Sequence, residues 1–140
     1  MTRRHAVWRL LTSACLVLTG CGPQRPGMVR VRGQITFDGQ PPPAEGMVFF
    51  APETTAPGRP IRPGRARFGR DGAFVVTSFD EGDGLVPGTY RVQVECWKKV
   101  PMMNEPGQSY VADPYEPAAV EVPTDARVVE VPLDVPLAKP

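Results

Sequence analysis

Hydrophobic and polar residues alternate in two segments of the chain. From Val29 to Phe37, every second residue is apolar or glycine, and the residues between are arginine, glutamine or threonine. From Thr89 to Cys96 the apolar positions again fall on alternate residues. A period of two is typical of a strand that has one buried and one solvated face. Both segments are therefore predicted to be strands that cover a core.

Five further short segments are predicted to be strands: 47–51, 65–68, 73–79, 118–122 and 127–133. Turn residues separate them, among them Asp38-Gly39 and the stretch Gly69–Gly72. No stretch of ten residues has apolar positions at the helical period of 3.6. The pattern predicts an all-β protein, an antiparallel seven-stranded sandwich. Its core is expected to include Val31, Ile35, Phe49, Phe74, Val76, Tyr90, Val92, Val94, Val129 and Val131.

Composition supports short strands joined by many turns. The 140 residues include 18 Pro and 14 Gly, which approaches the content of disordered chains. The alternation nevertheless favours folding, and the length allows one domain. The formal net charge is +1, which argues against a globally basic binder of nucleic acid.

The N-terminus has the organisation of an export signal. A basic head extends to Arg9 and precedes the apolar run Leu10–Leu18, which is too short for a bilayer-spanning helix of about 20 residues. The sequence Leu18-Thr19-Gly20-Cys21 resembles the lipobox of bacterial lipoproteins. This resemblance implies removal of residues 1–20 as a signal peptide and lipidation of Cys21, palmitate included. The alternative is ordinary secretion with Cys21 as a plain thiol.

The same resemblance predicts where the protein resides. Gly22 follows the cysteine, where enteric-type retention in the inner membrane uses Asp, so the outer membrane is favoured, with the domain facing the periplasm or the cell surface. Residues 21–27 are predicted to be a lipidated flexible spacer, 28–136 the sandwich domain and 137–140 a tail. A monomer is expected.

Four motifs resemble a known family of domains. They lie in Val31–Gln40, Gly46–Phe50, Asp71–Phe74 and Gly84–Val92, and the most specific parts are an Asp-Gly-x-Phe turn and a Pro-Gly-x-Tyr entry to a strand. Their order and spacing are similar to the carboxypeptidase-regulatory-like, or transthyretin-like, domain of small bacterial lipoproteins. The resemblance implies an accessory Ig-like or transthyretin-like sandwich without a shared catalytic site.

The residue inventory argues against catalysis. The single histidine is His5, so the chain after the signal segment has no imidazole for a triad or a zinc site. Cys96 falls on the same alternate positions as the inward-facing residues of the predicted strand Thr89–Cys96, so it is expected to be a buried thiol. The alternative is an accessible thiol that pairs with another chain. The stretch Asp80–Gly84 contains three carboxylates and is interpreted as a solvated turn rather than a weak Ca²⁺ loop. We expect no enzyme activity, no cofactor and no metal.

Two segments are candidate contact surfaces. One is the segment Arg59–Arg70, which is rich in arginine and contains no acidic residue; its alternative is a solvated strand edge. The other is the long loop Trp97–Pro117, which is rich in the aromatic and methionine residues that interfaces prefer; its alternative is folding back over the sandwich. The candidate partner-binding residues are Arg59, Arg62, Arg65, Arg67, Trp97, Met102, Met103 and Tyr110.

The sequence as a whole predicts a lipid-anchored protein of the cell envelope. Its domain is expected to be a non-catalytic binding or scaffolding module that contacts an envelope protein or an anionic polymer, and not nucleic acid. The alternative is a purely structural envelope lipoprotein without a specific ligand.

Overall fold

A computed structural model describes residues 25–140 of the chain. The signal segment, Cys21 and most of the spacer lie outside the described residues. The described part is all-β and consists of nine strands: β1 Arg30–Phe37, β2 Gly46–Thr55, β3 Gly64–Phe68, β4 Ala73–Val75, β5 Gly88–Glu95, β6 Trp97–Lys99, β7 Gln108–Ser109, β8 Val120–Val122 and β9 Val128–Val135. No helix long and apolar enough to cross a membrane occurs in residues 25–140.

The strands form two main sheets and one small ribbon. One sheet has the order β4-β1-β9, the other has the order β3-β2-β5-β8, and β6 pairs with β7 alone. The two larger sheets enclose the core in a sandwich-like arrangement. The expectation of a purely antiparallel fold is wrong, because β1 and β9 run parallel along their full length.

Alternation in β1 and β5 correctly predicts the buried faces. In β5, Tyr90, Val92 and Val94 are buried, whereas Arg91 and Gln93 are exposed. Side chains of a strand point alternately to its two faces, so one face enters the core and the other meets solvent. The prediction of the inward face therefore holds wherever polar residues interrupt the apolar ones.

Phe49 is the one predicted core residue that lies outside the core, and Val129 is only partly buried but packs against the core. The buried positions of β2 are Val48 and Phe50, and Phe49 is only partly buried. Its register partners are Arg65 on β3 and Gln93 on β5, both exposed, so Phe49 lies on the outer face. The run Met47–Ala51 is uniformly apolar, and such a run has no polar residue to fix which face is buried.

Aromatic side chains join the two sheets across the core. The rings of Phe37 on β1 and Phe68 on β3 lie 6.5 Å apart, and those of Phe50 on β2 and Phe74 on β4 lie 6.4 Å apart. Each pair takes one ring from each sheet. Burial of one such side chain contributes about 1.5–3 kcal/mol, so these contacts are a main reason that the sheets stay packed.

Turn glycines fix two of the chain reversals. Asp38 and Gly39 both have positive φ, 48° and 74°, in the two-residue turn between Phe37 and Gln40. Gly72 also has positive φ, 77°, and its carbonyl accepts a 2.9 Å hydrogen bond from the amide of Ile35. The turn at Gly72 thereby carries the chain from β3 in one sheet to β4 in the other.

The sandwich has two ends, which the strand directions define. At the proximal end, β1 begins beside Leu85, and the amide of Ala56 after β2 donates to Pro87 before β5. At the distal end, β1 finishes at Phe37, which stacks on Phe68, and β5 finishes at Glu95 opposite Met47. The first described residue, Arg25, belongs to the proximal end because it contacts Asp80, which precedes β5. The β6–β7 ribbon follows β5 directly and belongs to the distal end.

Candidate functional site

The ribbon and its turn, residues 97–109, form what we call the distal hairpin. Trp97 pairs with Ser109, and Lys99 pairs with Gln108. At its tip, the amides of Met102 and Glu105 each donate to the carbonyl of the other at 3.0 and 3.1 Å. The long loop predicted for residues 97–117 therefore begins with a hydrogen-bonded hairpin.

Three apolar side chains at the tip are exposed. The exposed fraction is 64% for Val100, 71% for Met102 and 100% for Met103. Adjacent exposed apolar side chains of this kind are a feature of binding surfaces, because single exposed residues are common and clusters are not. Methionine adapts its shape to a partner more easily than branched side chains do.

Trp97 and Tyr110 support the hairpin rather than form its tip. Trp97 is half-buried, and its indole nitrogen donates to a carboxylate oxygen of Glu95 at 3.4 Å. Its ring also packs so closely on Gly107 that a Cβ there would lie 2.9 Å from it. Tyr110 is partly buried against the core, and its amide donates to the carbonyl of Cys96. The structure therefore joins the four residues predicted in this segment into one unit with a base and a tip.

The four arginines of the other candidate segment separate into two pairs. Arg59 and Arg62 lie in the loop between β2 and β3 at the proximal end. Arg65 and Arg67 lie on β3, and both point to its exposed outer face, as the alternation predicts. The arginine segment is therefore two surfaces, not one.

Arg65 and Arg67 line an open groove of about 870 Å³ between the edge strands β3 and β4. Arg32 also borders this groove, but it is paired with Glu130 at 2.5 Å. Among the described residues, Arg65 and Arg67 have no carboxylate within ion-pairing distance. Two guanidinium groups without an ion-pair partner, beside a groove that Glu81 also borders, offer contacts for phosphate or carboxylate groups.

Of the three carboxylates in the turn Asp80–Gly84, only Asp83 serves the backbone, and its burial shows that the turn is not the fully solvated turn expected from the sequence. Asp83 is buried and accepts hydrogen bonds from the amides of Ser78, Phe79 and Asp80 at 2.8–3.0 Å. Asp80 pairs with Arg25 at 2.7 Å. Within residues 25–140, no group of three or more His, Cys, Asp or Glu side chains is arranged to hold a metal ion.

Cys96 is fully buried, in agreement with the inward parity predicted for it. Its sulfur lies 3.6 Å from the carbonyl oxygen of Ala44. Burial raises the pKa of this thiol above its ordinary value, because a thiolate would lose its hydration. The thiol is therefore inaccessible and chemically inert in the folded domain.

One cluster at the proximal end was not expected from the sequence. The guanidinium groups of Arg25 and Arg62 lie 4.7 and 4.4 Å from the centre of the Phe79 ring, which is the geometry of cation–π contacts. Arg62 also donates to the carbonyl of Ser78 at 2.9 Å. These contacts join residues far apart in sequence, and local patterns carry no signal for them.

Comparison of the chain with protein-family models, with curated proteins and with solved structures found no match.

Proposed function

We propose that the protein is a lipid-anchored, non-catalytic module of the cell envelope whose distal hairpin binds an envelope protein. The observation that carries this proposal is the exposed tip Val100, Met102 and Met103, at the end of the sandwich opposite Arg25. Arg25 lies four residues after Cys21, which the lipobox resemblance makes the site of the anchor.

The distance between anchor and domain follows from chain geometry. Four residues span at most about 14 Å, so a lipidated Cys21 holds the proximal end close to the bilayer. β5 alone has eight residues, a length of about 26 Å along the sandwich. The hairpin tip would then face away from the membrane, where a partner protein can reach it. Two or more acyl chains on the cysteine would make the anchoring firm.

Several features support an Ig-like or transthyretin-like domain for this role. The sheets of three and four strands are consistent with a seven-stranded sandwich to which the hairpin is added. The hydroxyl of Tyr90 donates to the carbonyl of Val86, four residues upstream, at 2.7 Å, an arrangement similar to the tyrosine corner of such sandwiches. A sandwich of this kind hosts many functions, so the contact surface and not the fold carries the proposal.

The residue inventory supports binding over catalysis. No histidine follows His5, and the buried carboxylate of Asp83 is fully used by backbone amides. The thiol of Cys96 is buried. These groups hold the fold together, which leaves the surface features for function.

A second candidate function is recognition of an anionic polymer by Arg65 and Arg67 in the groove between β3 and β4. The observation that favours this function is that neither arginine has a carboxylate within ion-pairing distance in the described part of the chain. Such binding would weaken strongly with salt, whereas binding through the apolar tip would not. A purely structural lipoprotein would use neither surface.

Affinity capture from detergent-solubilised envelope separates these functions. The full chain is compared with a Met102→Ser/Met103→Ser variant and with an Arg65→Gln/Arg67→Gln variant. All four side chains are exposed, so neither variant should alter folding. We expect one specific protein that is lost with the methionines and retained with the arginines. Loss with the arginines and with added salt would favour the polymer, and no difference would favour the structural alternative.

The anchor itself is tested separately. Metabolic labelling with a fatty acid should mark the full chain and should be abolished in Cys21→Ser, with release of the protein from membrane fractions. Persistent labelling in that variant would contradict lipidation at Cys21.

A further inference from the structure

The last residues of the predicted spacer, 25–27, are held against the proximal end of the sandwich. Arg25 pairs with Asp80 at 2.7 Å and lies over the ring of Phe79. The guanidinium group of Arg59 packs directly on Gly27, where even a Cβ atom would overlap it. The path of the chain toward Cys21 therefore starts beside the loop that carries Arg59.

That loop, residues 56–63, has an unusual combination of side chains. Ile61 has 76% of its surface exposed and stands between Arg59 and Arg62, with Pro60 directly before it and Pro63 directly after Arg62. The stretch from residue 56 to residue 70 contains no acidic residue. Prolines restrict the backbone, so the apolar side chain is held out in solvent at low entropic cost.

The nearby acidic groups leave this positive charge uncompensated. Asp80 is occupied by Arg25, and Glu81 borders the groove between β3 and β4. Neither Arg59 nor Arg62 has an ion-pair partner among residues 25–140. The guanidinium group of Arg59 packs on Gly27, and that of Arg62 lies on the Phe79 ring and donates one hydrogen bond to Ser78, but no carboxylate neutralises either charge. An exposed apolar side chain between two such cations is complementary to the boundary of an anionic lipid bilayer, where headgroup phosphates lie above the acyl chains.

We propose that residues 56–63 dock on the anionic lipid surface of the membrane that holds the protein. Ile61 enters the headgroup boundary, and Arg59 and Arg62 contact lipid phosphates. This inference rests on the proposed lipid anchor at Cys21, because the tether is what keeps this small surface at the bilayer. A tether about four residues long gives the loop a high effective concentration at the lipid surface.

Docking would give the anchored domain a defined orientation. Attachment at Cys21 alone is a single point of contact with the membrane, whereas the anchor and the docked loop together define the proximal end as the face on the membrane. The sandwich then stands on this end. The distal hairpin is held away from the bilayer, in the position that the proposed partner binding requires.

Tryptophan fluorescence in reconstituted vesicles tests the docking. The lipidated chain, from which Trp8 is removed with residues 1–20, carries Ile61→Trp and Trp97→Phe and is reconstituted into vesicles that contain lipids with brominated acyl chains, which quench tryptophan at short range. The vesicles contain phosphatidylcholine alone or an equal mixture with phosphatidylglycerol. The matched control is the wild-type chain, whose Trp97 lies at the distal end.

We expect quenching of the introduced tryptophan in the anionic vesicles and much weaker quenching in phosphatidylcholine alone, with Trp97 of the wild type unquenched in both. Adding Arg59→Gln should lower the ratio of docked to undocked protein about fivefold, the effect of one basic residue at an anionic surface. Adding Arg70→Gln instead, an exposed arginine beside Trp97 at the distal end, should change nothing.

Fatty-acid labelling of the same preparation keeps the two proposals distinct. A labelled protein whose introduced tryptophan is not quenched, or is quenched equally with neutral lipid, overturns the docking and leaves the anchor intact. An unlabelled wild-type protein overturns the anchor and the docking with it. Equal effects of Arg59→Gln and Arg70→Gln would overturn the assignment of the contact to this loop.

Discussion

Tyr90 should make the folded domain sensitive to alkaline pH. Its side chain is fully buried, and its hydroxyl donates to the carbonyl of Val86 at 2.7 Å. Burial raises the pKa of Tyr90 from 10.0 to about 12, because the phenolate would lose its hydration. The folded state therefore holds the proton more tightly than the unfolded state does.

The sign and size of the effect follow from proton linkage. A group whose pKa is higher in the folded state contributes its full stability below the unfolded pKa near 10 and loses it as the pH rises to about 12. One pH unit in this window corresponds to about 1.4 kcal/mol, and the full shift to about 3 kcal/mol. At neutral pH, Tyr90→Phe should itself cost about 1–3 kcal/mol, because the buried carbonyl of Val86 loses its donor.

Urea unfolding of the wild type and of Tyr90→Phe between pH 8 and pH 11 measures both effects. The difference in free energy of unfolding should be largest at pH 8 and should shrink as the pH passes 10, because only the wild type loses the contribution of this phenol. Burial also raises the pKa values of Tyr115 and Cys96, but both groups are present in each protein and cancel in the difference. A difference that stays constant to pH 11 would mean that the pKa of Tyr90 is not raised in the folded state.

Three further predictions concern the fold. Gly72→Ala should destabilise the folded domain by about 3 kcal/mol or more, because the added Cβ would lie 2.1 Å from a backbone carbonyl oxygen. Gly39→Ala, also at positive φ but in open space, should cost only about 1 kcal/mol. Equal losses of stability in thermal unfolding would mean that the close approach at Gly72 is unimportant. Val92→Ala should cost about 1–3 kcal/mol and Gln93→Ala almost nothing, as measured by urea unfolding; similar losses would mean that the assigned faces are wrong. Cys96 should react with a thiol reagent only after denaturant is added, and rapid native labelling would contradict its burial.

The sequence was most informative where polar residues alternate with apolar ones. In β5, the alternation of valines with Arg91 and Gln93 was sufficient to assign the buried face. In β2, the uniformly apolar run left the face undetermined, and Phe49 was placed in the core although Phe50 occupies it. The alternation along a strand shows which face is buried only when the strand contains both apolar and polar residues.

The parts that could not be predicted depend on contacts between distant residues. The parallel pairing of β1 with β9 joins the first and the last strand of the domain in sequence. The predicted strand 73–79 pairs with β1 only to Val75, and Thr77 then forms a bridge to Arg65 of β3. From Ser78 the chain turns, because Asp83 accepts three backbone amides there. Residue types in these segments allow many partners, and only the packed chain selects among them.

The candidate contact residues were predictable by type but not by arrangement. Composition identified the methionines of the hairpin and the arginines of residues 59–67 as surface groups. It did not separate Arg59 and Arg62 at the proximal end from Arg65 and Arg67 in the groove. Nor did it show that Trp97 and Tyr110 would support a tip formed by other side chains. The separation depends on which loop and which strand face each residue occupies.

Photo-crosslinking in intact cells tests directly whether the distal hairpin binds an envelope protein. A photoreactive amino acid is placed at Met103, the fully exposed tip of the hairpin, and in a second strain at Gln93, an exposed position on the outer face of β5. We expect one discrete protein adduct at the envelope from position 103 and none from position 93. No adduct from position 103, or the same adduct from both positions, would contradict a partner bound at the distal hairpin.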